Sequence, residues 1–307
     1  MAKTMPALIA VDWGTTSFRA YLLDANGAIL DRIASERGIQ SVANSEYEAT
    51  LTSFVQNWRR EAATPIILSG MIGSRQGWIE APYARAPAGL SEVAAAIVAI
   101  KSQGLGEIGV VPGVSIEDAA LGPDVMRGEE TQIFGALAAS GDSDGLFVLP
   151  GTHSKWARVE DGRIASFASY MTGDVFAALR HHTILARLMA PGEEDAEGFA
   201  AGVRAAKTLN APGELLHAIF MTRTLGLFDR LTAAQLPEYL SGLLIGAEIL
   251  AGGRDVGAAT VIGSPALTQR YCSAGEILGL RLTPAPADCA ALGQLALYKA
   301  WRSANRH

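Results

Sequence analysis

A chain of 307 residues, 49% apolar and 18% charged, is long enough for one large core or two smaller ones. Its net charge of −6 and lack of a basic run exclude a broad electrostatic surface for nucleic acid or an anionic bilayer, so any phosphate binding must be local. Cys272 and Cys289 lack C-x-x-C spacing and have no histidine at metal-ligand spacing, which reads as buried, reduced thiols.

Residues 8–11 form an apolar strand that runs into Asp12-Trp13-Gly14-Thr15-Thr16-Ser17, and a strand pattern resumes over 18–23. The apolar stretch before Asp12 is too short for a secretory leader. Asn26-Gly27 supplies a hairpin turn into a third strand, 28–35. The pattern then predicts a helix over 45–62, a strand over 65–68, a glycine-rich loop over 69–89, a helix over 91–103, a short strand over 108–111 and a helix beginning near Glu129.

The opening arrangement returns at mid-chain. Residues 146–150 are an apolar strand, Gly151-Thr152-His153-Ser154-Lys155 is a second small-residue turn, and 156–160 leads through Asp161-Gly162 into another strand. Two copies of one supersecondary unit predict two related halves. Residues 172–252 are largely helical, with loops at Pro191-Gly192 and Ala211-Pro212-Gly213. A strand over 260–262, a helix, a strand over 280–284 and a helix over 287–301 follow, and no low-complexity linker divides the halves. The most apolar helix, 240–251, carries Glu248 and does not suit a bilayer span, so the expected location is cytoplasmic.

Asp12 stands at a strand end directly before Gly14, Thr15 and Thr16, whose N–H groups and hydroxyls suit phosphate oxygens with Mg²⁺ between them and the carboxylate. A plain β-turn with an Asx contact is the alternative. Gly151 and Thr152 offer a second such turn, so the two could clasp one triphosphate. His153 reads as a phosphate donor or a turn residue, and Lys155 as a γ-phosphate contact or a solvated charge. Gly263 and Ser264, between a strand and a helix start, offer bare backbone to an adenine. His181-His182 lacks a third ligand at suitable spacing, and Trp13 reads as packing.

The D-x-G-T-T turn, the later G-T turn and Ile262-Gly263-Ser264-Pro265-Ala266 resemble the phosphate and adenosine motifs of the actin, heat-shock ATPase and sugar kinase superfamily. Four blocks, Leu68-Ser69-Gly70-Met71-Ile72-Gly73-Ser74, Met126-Arg127-Gly128-Glu129-Glu130-Thr131-Gln132, Pro150-Gly151-Thr152-His153-Ser154-Lys155-Trp156 and Met171-Thr172-Gly173, resemble the 2-dehydro-3-deoxygalactonokinase family. The resemblance implies an α/β, two-lobed actin-like ATPase (ribonuclease H-like) fold with the nucleotide in the cleft between the lobes. Residues 1–138 would form the sugar-acid lobe, with the closing helix (287–307) packed back on it, and residues 139–286 the nucleotide lobe. The implied reaction is ATP- and Mg²⁺-dependent phosphorylation of the terminal hydroxyl of 2-dehydro-3-deoxy-D-galactonate, in galactonate breakdown.

The resemblance also implies a catalytic base at Glu129, where related kinases show Gly-Asp and this chain reads Gly128-Glu129-Glu130, one methylene longer. Helix-start acids stabilised by the macrodipole are the alternative. A small keto acid needs a directed cation and neutral hydrogen-bonding groups, which Ser69, Ser74, Arg75, Gln76 and Trp78 in the loop 69–83 would provide. Arg75 leads for the carboxylate, Arg85 and Arg127 compete with it, and an exposed connection is the plainer reading. Rival functions are a kinase for another sugar acid or polyol, a non-catalytic sugar sensor on the same fold, and a non-kinase ATPase. The expected partners are the sugar acid and ATP, without nucleic acid or membrane, and a homo-oligomer is left open.

Overall fold

A computed structural model describes residues 5–43, 46–59, 63–119, 121–192, 194–211, 213–254 and 256–305. Contacts gather the chain into two compact units. One comprises Met1–Gly145, Arg158–Phe167 and Pro286–His307, and the other Leu146–Ala157 and Ala168–Ala285.

The first unit opens with strands β1 (Leu8–Trp13), β2 (Phe18–Leu23) and β3 (Ile29–Ser35), helix α1 (Tyr47–Val55) and strand β4 (Ile66–Ser69). Strand β5 (Tyr83–Arg85), helix α2 (Leu90–Ala95) and strands β6 (Val98–Ser102), β7 (Gly106–Val110), β8 (Gly113–Ile116) and β9 (Asp124–Met126) follow, then helix α3 (Glu129–Ser140). Six strands form one sheet in the order β3-β2-β1-β4-β7-β6. β1 pairs antiparallel with β2 and parallel with β4, and β1 and β4 are nearly continuous apolar runs because both faces of the sheet are covered. Trp13, Phe18, Tyr47 and Leu51 belong to the core on one side. The last helix, α9 (Cys289–Ala304), packs on β1 and α3. The α3–α9 crossing requires glycines: a Cβ on Gly135 would lie 1.7 Å from the Cys289 carbonyl oxygen, and one on Gly293 1.8 Å from that of Thr131.

Three expectations change here. The helix expected over 91–103 stops at Ala95, and β6 pairs antiparallel with β7, Val98 opposite Val110 and Ile100 opposite Ile108. Val98 and Ile100 alternate toward the core with the period of a strand. The glycine-rich loop and the segment after β7 contain β5, β8 and β9, a separate three-stranded sheet that was not expected. Residue 138, the expected lobe boundary, lies inside α3, which runs unbroken to the left-handed cap Gly141. Of the helix expected over 45–62, Tyr47–Val55 is α-helical and Gln56–Arg59 is a 3-10 turn, while residues 45 and 60–62 lie outside the described residues.

The second unit's sheet is built from β10 (Gly145–Leu149), β11 (Ser154–Glu160), β12 (Arg163–Tyr170), β13 (Ala258–Val261) and β14 (Arg281–Pro284). Its order, β12-β11-β10-β13-β14, matches β3-β2-β1-β4-β7, and its β10–β13 and β13–β14 pairs are parallel like β1–β4 and β4–β7. Its helices are α4 (Thr172–His182), α5 (Ala196–Ala206), α6 (Glu214–Leu227), α7 (Gln235–Gly252) and α8 (Pro265–Leu278). α5 and α7 cross at two glycines, since a Cβ on Gly202 or Gly242 would lie 2.0 Å from the carbonyl oxygen of Tyr239 or Phe199 respectively. Among the described residues no helix is long and apolar enough to cross a membrane.

Candidate active site

Asp12 is the penultimate residue of β1, in register with Arg19 on β2 and Ser69 on β4. Its side chain is 16% exposed, and the Arg19 guanidinium stands 3.9 Å away, beyond hydrogen-bond distance. Burial pushes the Asp12 pKa above its ordinary value, and the Arg19 charge opposes that rise. In the turn that follows, the Gly14 N–H donates to the Ser17 carbonyl at 2.8 Å. The Gly14 and Thr15 carbonyls accept from Ile39 and Gln40 at 3.0 and 3.2 Å. Among the described residues the N–H groups of Thr15 and Thr16 have no backbone acceptor, and Thr16 is exposed. The turn is therefore braced through its carbonyls and presents donors outward, the polarity an anion requires.

The start of α3 lies beside this turn. Gly70 (φ +89°) and Gly128 (φ +106°) both occupy the left-handed side of the backbone map. A Cβ on Gly70 would lie 2.9 Å from the Trp13 carbonyl oxygen and 3.1 Å from Asp12 Oδ1, and one on Gly128 would lie 3.3 Å from the Gly70 Cα. Asp12 and the Glu129–Glu130 pair are thus gathered around two stacked glycines. Glu129 is half-buried and accepts from the Arg127 backbone N–H at 3.0 Å. Glu130 is fully buried and accepts from Gly128 N–H at 2.7 Å and the Thr131 hydroxyl at 2.8 Å. Burial, with the Glu129 charge adding to it, pushes the Glu130 pKa up to about 7. Both Glu130 oxygens are committed to hydrogen bonds within α3 and its start, whereas Glu129 is only half-buried.

The expected sugar-acid loop is only partly open to a ligand. Ser69 is 1% exposed, and its hydroxyl accepts from Gln294 Nε2 at 2.8 Å. Gln294, on α9 and also fully buried, donates to the Val11 carbonyl at 2.6 Å. Ser69 therefore joins two strands to α9 and is withdrawn as a substrate contact. Ser74 donates to the Met71 carbonyl at 2.7 Å, and Trp78 stacks on Tyr47 with ring centroids 6.4 Å apart. The Gln76 side chain is exposed while its carbonyl accepts from Tyr47 Oη at 3.0 Å. Arg75 is 86% exposed and faces Glu80 at 3.4 Å, and Arg85 pairs with Glu117 at 3.2 Å and Asp118 at 2.7 Å. Arg127 differs: its Nη2 donates to the Ala81 carbonyl at 2.8 Å, while its Nε and Nη1 are buried without a partner among the described residues.

In the second unit the Gly151-Thr152 turn seats the start of α4. A Cβ on Gly173 would lie 2.5 Å from the Gly151 carbonyl oxygen, and Asp174 N–H donates to the Thr152 carbonyl at 3.1 Å. His153 Nε2 meets Asp174 Oδ2 at 2.8 Å, with both side chains about half exposed. Lys155 is buried and donates to the Ser169 hydroxyl, so it is not a solvated charge. Beside the turn lies a cavity of about 380 Å³, with Gly151, Thr172 and Gly173 at its polar edge and Phe176, Leu244 and Leu267 among its apolar walls. Gly263 and Ser264 do not line it, and the Ser264 hydroxyl caps α8 by accepting from Leu267 N–H.

Glu248, buried on α7, underlies this region. It accepts from Trp156 Nε1 at 2.9 Å, from Tyr271 Oη at 2.8 Å and from the Thr172 hydroxyl. Burial raises the Glu248 pKa while donors including Ser154 oppose the rise, and burial beside Glu248 raises that of Tyr271. No sequence motif marked Glu248 or Gln294 as part of the site, because their partners lie far away in the chain. Among the described residues no group of three or more His, Cys, Asp or Glu is placed to hold a metal. A single-carboxylate site at Asp12 is compatible with Mg²⁺, which takes one or two carboxylates and keeps several waters or phosphate oxygens.

A family model described as 2-keto-3-deoxy-galactonokinase matches residues 12–297. A Rhizobium meliloti (strain 1021) protein named "Probable 2-dehydro-3-deoxygalactonokinase DgoK1" is 39% identical over 91% of this chain and 92% of its own. The 2-dehydro-3-deoxygalactonokinase of Escherichia coli (strain K12) is 35% identical over 92% and 94% respectively. A crystal structure from Sinorhizobium meliloti bearing the same kinase name superposes with a TM-score of 0.85, at 35% identity, covering 98% of this chain and 100% of that one. Component A of the Acidaminococcus fermentans (R)-2-hydroxyglutaryl-CoA dehydratase, 13% identical with a TM-score of 0.51 over 97% and 99% of the two chains, shares the fold alone. The chain belongs to the 2-keto-3-deoxy-galactonokinase family and has the α/β fold of the actin-like ATPases and sugar kinases.

Proposed function

We propose that this chain transfers the γ-phosphoryl group of ATP to the terminal hydroxyl of 2-dehydro-3-deoxy-D-galactonate, a cytoplasmic step of galactonate breakdown. The observation that carries the reading is the packing of Gly128, the residue before Glu129, on Gly70, which itself lies against Asp12. It supports reading Asp12 as the carboxylate for a metal-bound phosphate and Glu129 as the one for a hydroxyl proton, and the relatives' names suggest the acceptor.

The C6 hydroxyl oxygen forms a bond to the γ-phosphorus as its proton passes to the Glu129 carboxylate. The bond from the γ-phosphorus to the β,γ-bridging oxygen breaks, and its electron pair leaves with ADP. Little covalent work falls to the protein, so its contribution is positioning and charge. In the first unit the N–H groups of Thr15 and Thr16 are suited to phosphate oxygens, and in the second unit the Gly151-Thr152 turn and the half-exposed His153 are suited to them as well. Asp12 would hold Mg²⁺, which would neutralise phosphate charge. The nucleoside occupies the cavity beside Gly151, whose 380 Å³ falls in the range of small-ligand pockets, in place of the Gly263–Ser264 backbone. The loop around Ser74, Gln76 and Trp78 forms the sugar-acid side.

A coupled ADP-release assay tests this with 2-dehydro-3-deoxy-D-galactonate, with its gluconate epimer, with a polyol and with no acceptor. Stoichiometric ADP release on the galactonate compound is expected. Preference for the polyol would reassign the acceptor, acceptor-independent release would make the chain an ATPase, and sugar binding without release would make it a sensor.

A further inference from the structure

We infer that Arg127 binds the carboxylate of the acceptor; the inference rests on the kinase reading above and assigns the acid's anchor within it. A guanidinium carries five N–H donors and a permanent charge. That of Arg127 has one acceptor among the described residues, the Ala81 carbonyl on Nη2, while Nε and Nη1 are buried and have none there. One face of the guanidinium lies 4.4 Å from the centroid of the Tyr83 ring. A Cβ at position 73 would come within 3.1 Å of Nη1, so Gly73 leaves that nitrogen its room.

The other two candidate arginines are already neutralised, Arg75 by Glu80 and Arg85 by Glu117 and Asp118. Among the described residues no carboxylate pairs with the Arg127 guanidinium. A buried cation without a counter-ion is costly, and unsatisfied buried donors mark places where an ion or ligand completes the structure. A carboxylate has the oxygens to meet these donors and the charge to balance them.

Position selects the sugar acid over the nucleotide as the source of that anion. The contacts of the guanidinium among the described residues are with the 70–83 loop, through Gly73, Ala81 and Tyr83. Arg127 and Glu129 are two residues apart, at most about 7 Å along the backbone. The five bonds from the acid's carboxyl carbon to its reacting C6 span about 6 Å when extended. One short segment can therefore hold the acid at one end and take the proton at the other.

The test compares wild type, Arg127→Met and Arg127→Lys on the acid and on its uncharged C1 carboxamide, with ATP varied separately. Wild type should prefer the acid by about 10- to 100-fold in kcat/KM, the size of one charge-assisted contact. Arg127→Met should lose that preference to within about threefold and keep its KM for ATP, and Arg127→Lys should retain part of it. A methionine variant that keeps the wild-type preference, or loses acid and carboxamide equally, overturns the inference. A loss confined to the ATP constants overturns it too and moves the anion to the nucleotide. Should Arg127→Met not fold, the lysine variant decides by the same ratio, an unchanged preference counting against the inference. Turnover of the acid by wild type tests the kinase reading independently of any ratio.

Discussion

Gly128 rests on Gly70, so that a Cβ on Gly128 would lie only 3.3 Å from the Gly70 Cα, and this contact sets the start of α3 against the end of β1. Gly70→Ala places a methyl 2.9 Å from the Trp13 carbonyl oxygen and 3.1 Å from Asp12 Oδ1, at a φ of +89°. The expected outcome is a stability loss of about 1–3 kcal/mol together with a fall in kcat, because relief of the clash moves Asp12. Urea unfolding and steady-state kinetics on the same preparation measure both. An alanine variant with full stability and turnover would remove the glycine stack from the account.

Asp12→Asn keeps the shape of the side chain and removes its charge. kcat and kcat/KM for the acid should fall together, by roughly 10² or more, while nucleotide affinity changes less. Equilibrium binding of a non-hydrolysable ATP analogue, set beside turnover, separates the two effects. Turnover near that of wild type would take Asp12 out of the chemistry.

Glu129 and Glu130 should respond differently to removal of charge. Glu129→Gln removes the proton acceptor and should depress kcat by about 10²-fold or more. Glu130→Gln should act on stability and its pH dependence. Folded Glu130 holds its proton to about pH 7, whereas an unfolded glutamate releases it near pH 4.3. Between those values the folded state binds more protons, so this contribution to stability is complete below the window and declines as pH rises through it. The decline is on the order of 3 kcal/mol and should be absent from Glu130→Gln. Chemical denaturation from pH 4.5 to 8 reads it directly, and a larger kcat loss for the Glu130 variant would exchange the two roles.

The parts of this site legible in the sequence are those where a local pattern carries the geometry. Strand, small-residue turn and strand recur around Asp12 and Gly151, and both turns occupy matching places in their sheets. Residues 98–102 read as helix in the sequence because an alanine-rich helix runs up to them and Val98 and Ile100 are too few to establish a period. Arg127 was one arginine among three until its neighbours showed which charges are neutralised. Gln294 meets Ser69 across 225 positions, and Glu248 meets Trp156 across 92, contacts that no short window contains. The cavity beside Gly151 is not written in any short window for the same reason, since its walls come from three different helices.

Glu248 ties α7 to Thr172 and Tyr271, both of which line that cavity. Glu248→Ala strips one acceptor group from several buried donors and should cost a few kcal/mol of stability. Glu248→Gln keeps the shape but turns an amide toward some of those donors. It should raise the KM for ATP more than it lowers kcat and leave the KM for the acid within about twofold. Equal effects on both substrates would assign Glu248 to general stability alone.

Identification of the product bears most directly on the central claim. A phosphorus–proton correlation spectrum of the reaction of ATP, Mg²⁺ and 2-dehydro-3-deoxy-D-galactonate should show one new phosphate ester coupled to the C6 methylene protons, formed one for one with ADP. Free inorganic phosphate in place of the ester, or an ester at another carbon, would contradict the assignment of this chain as the kinase of the terminal hydroxyl.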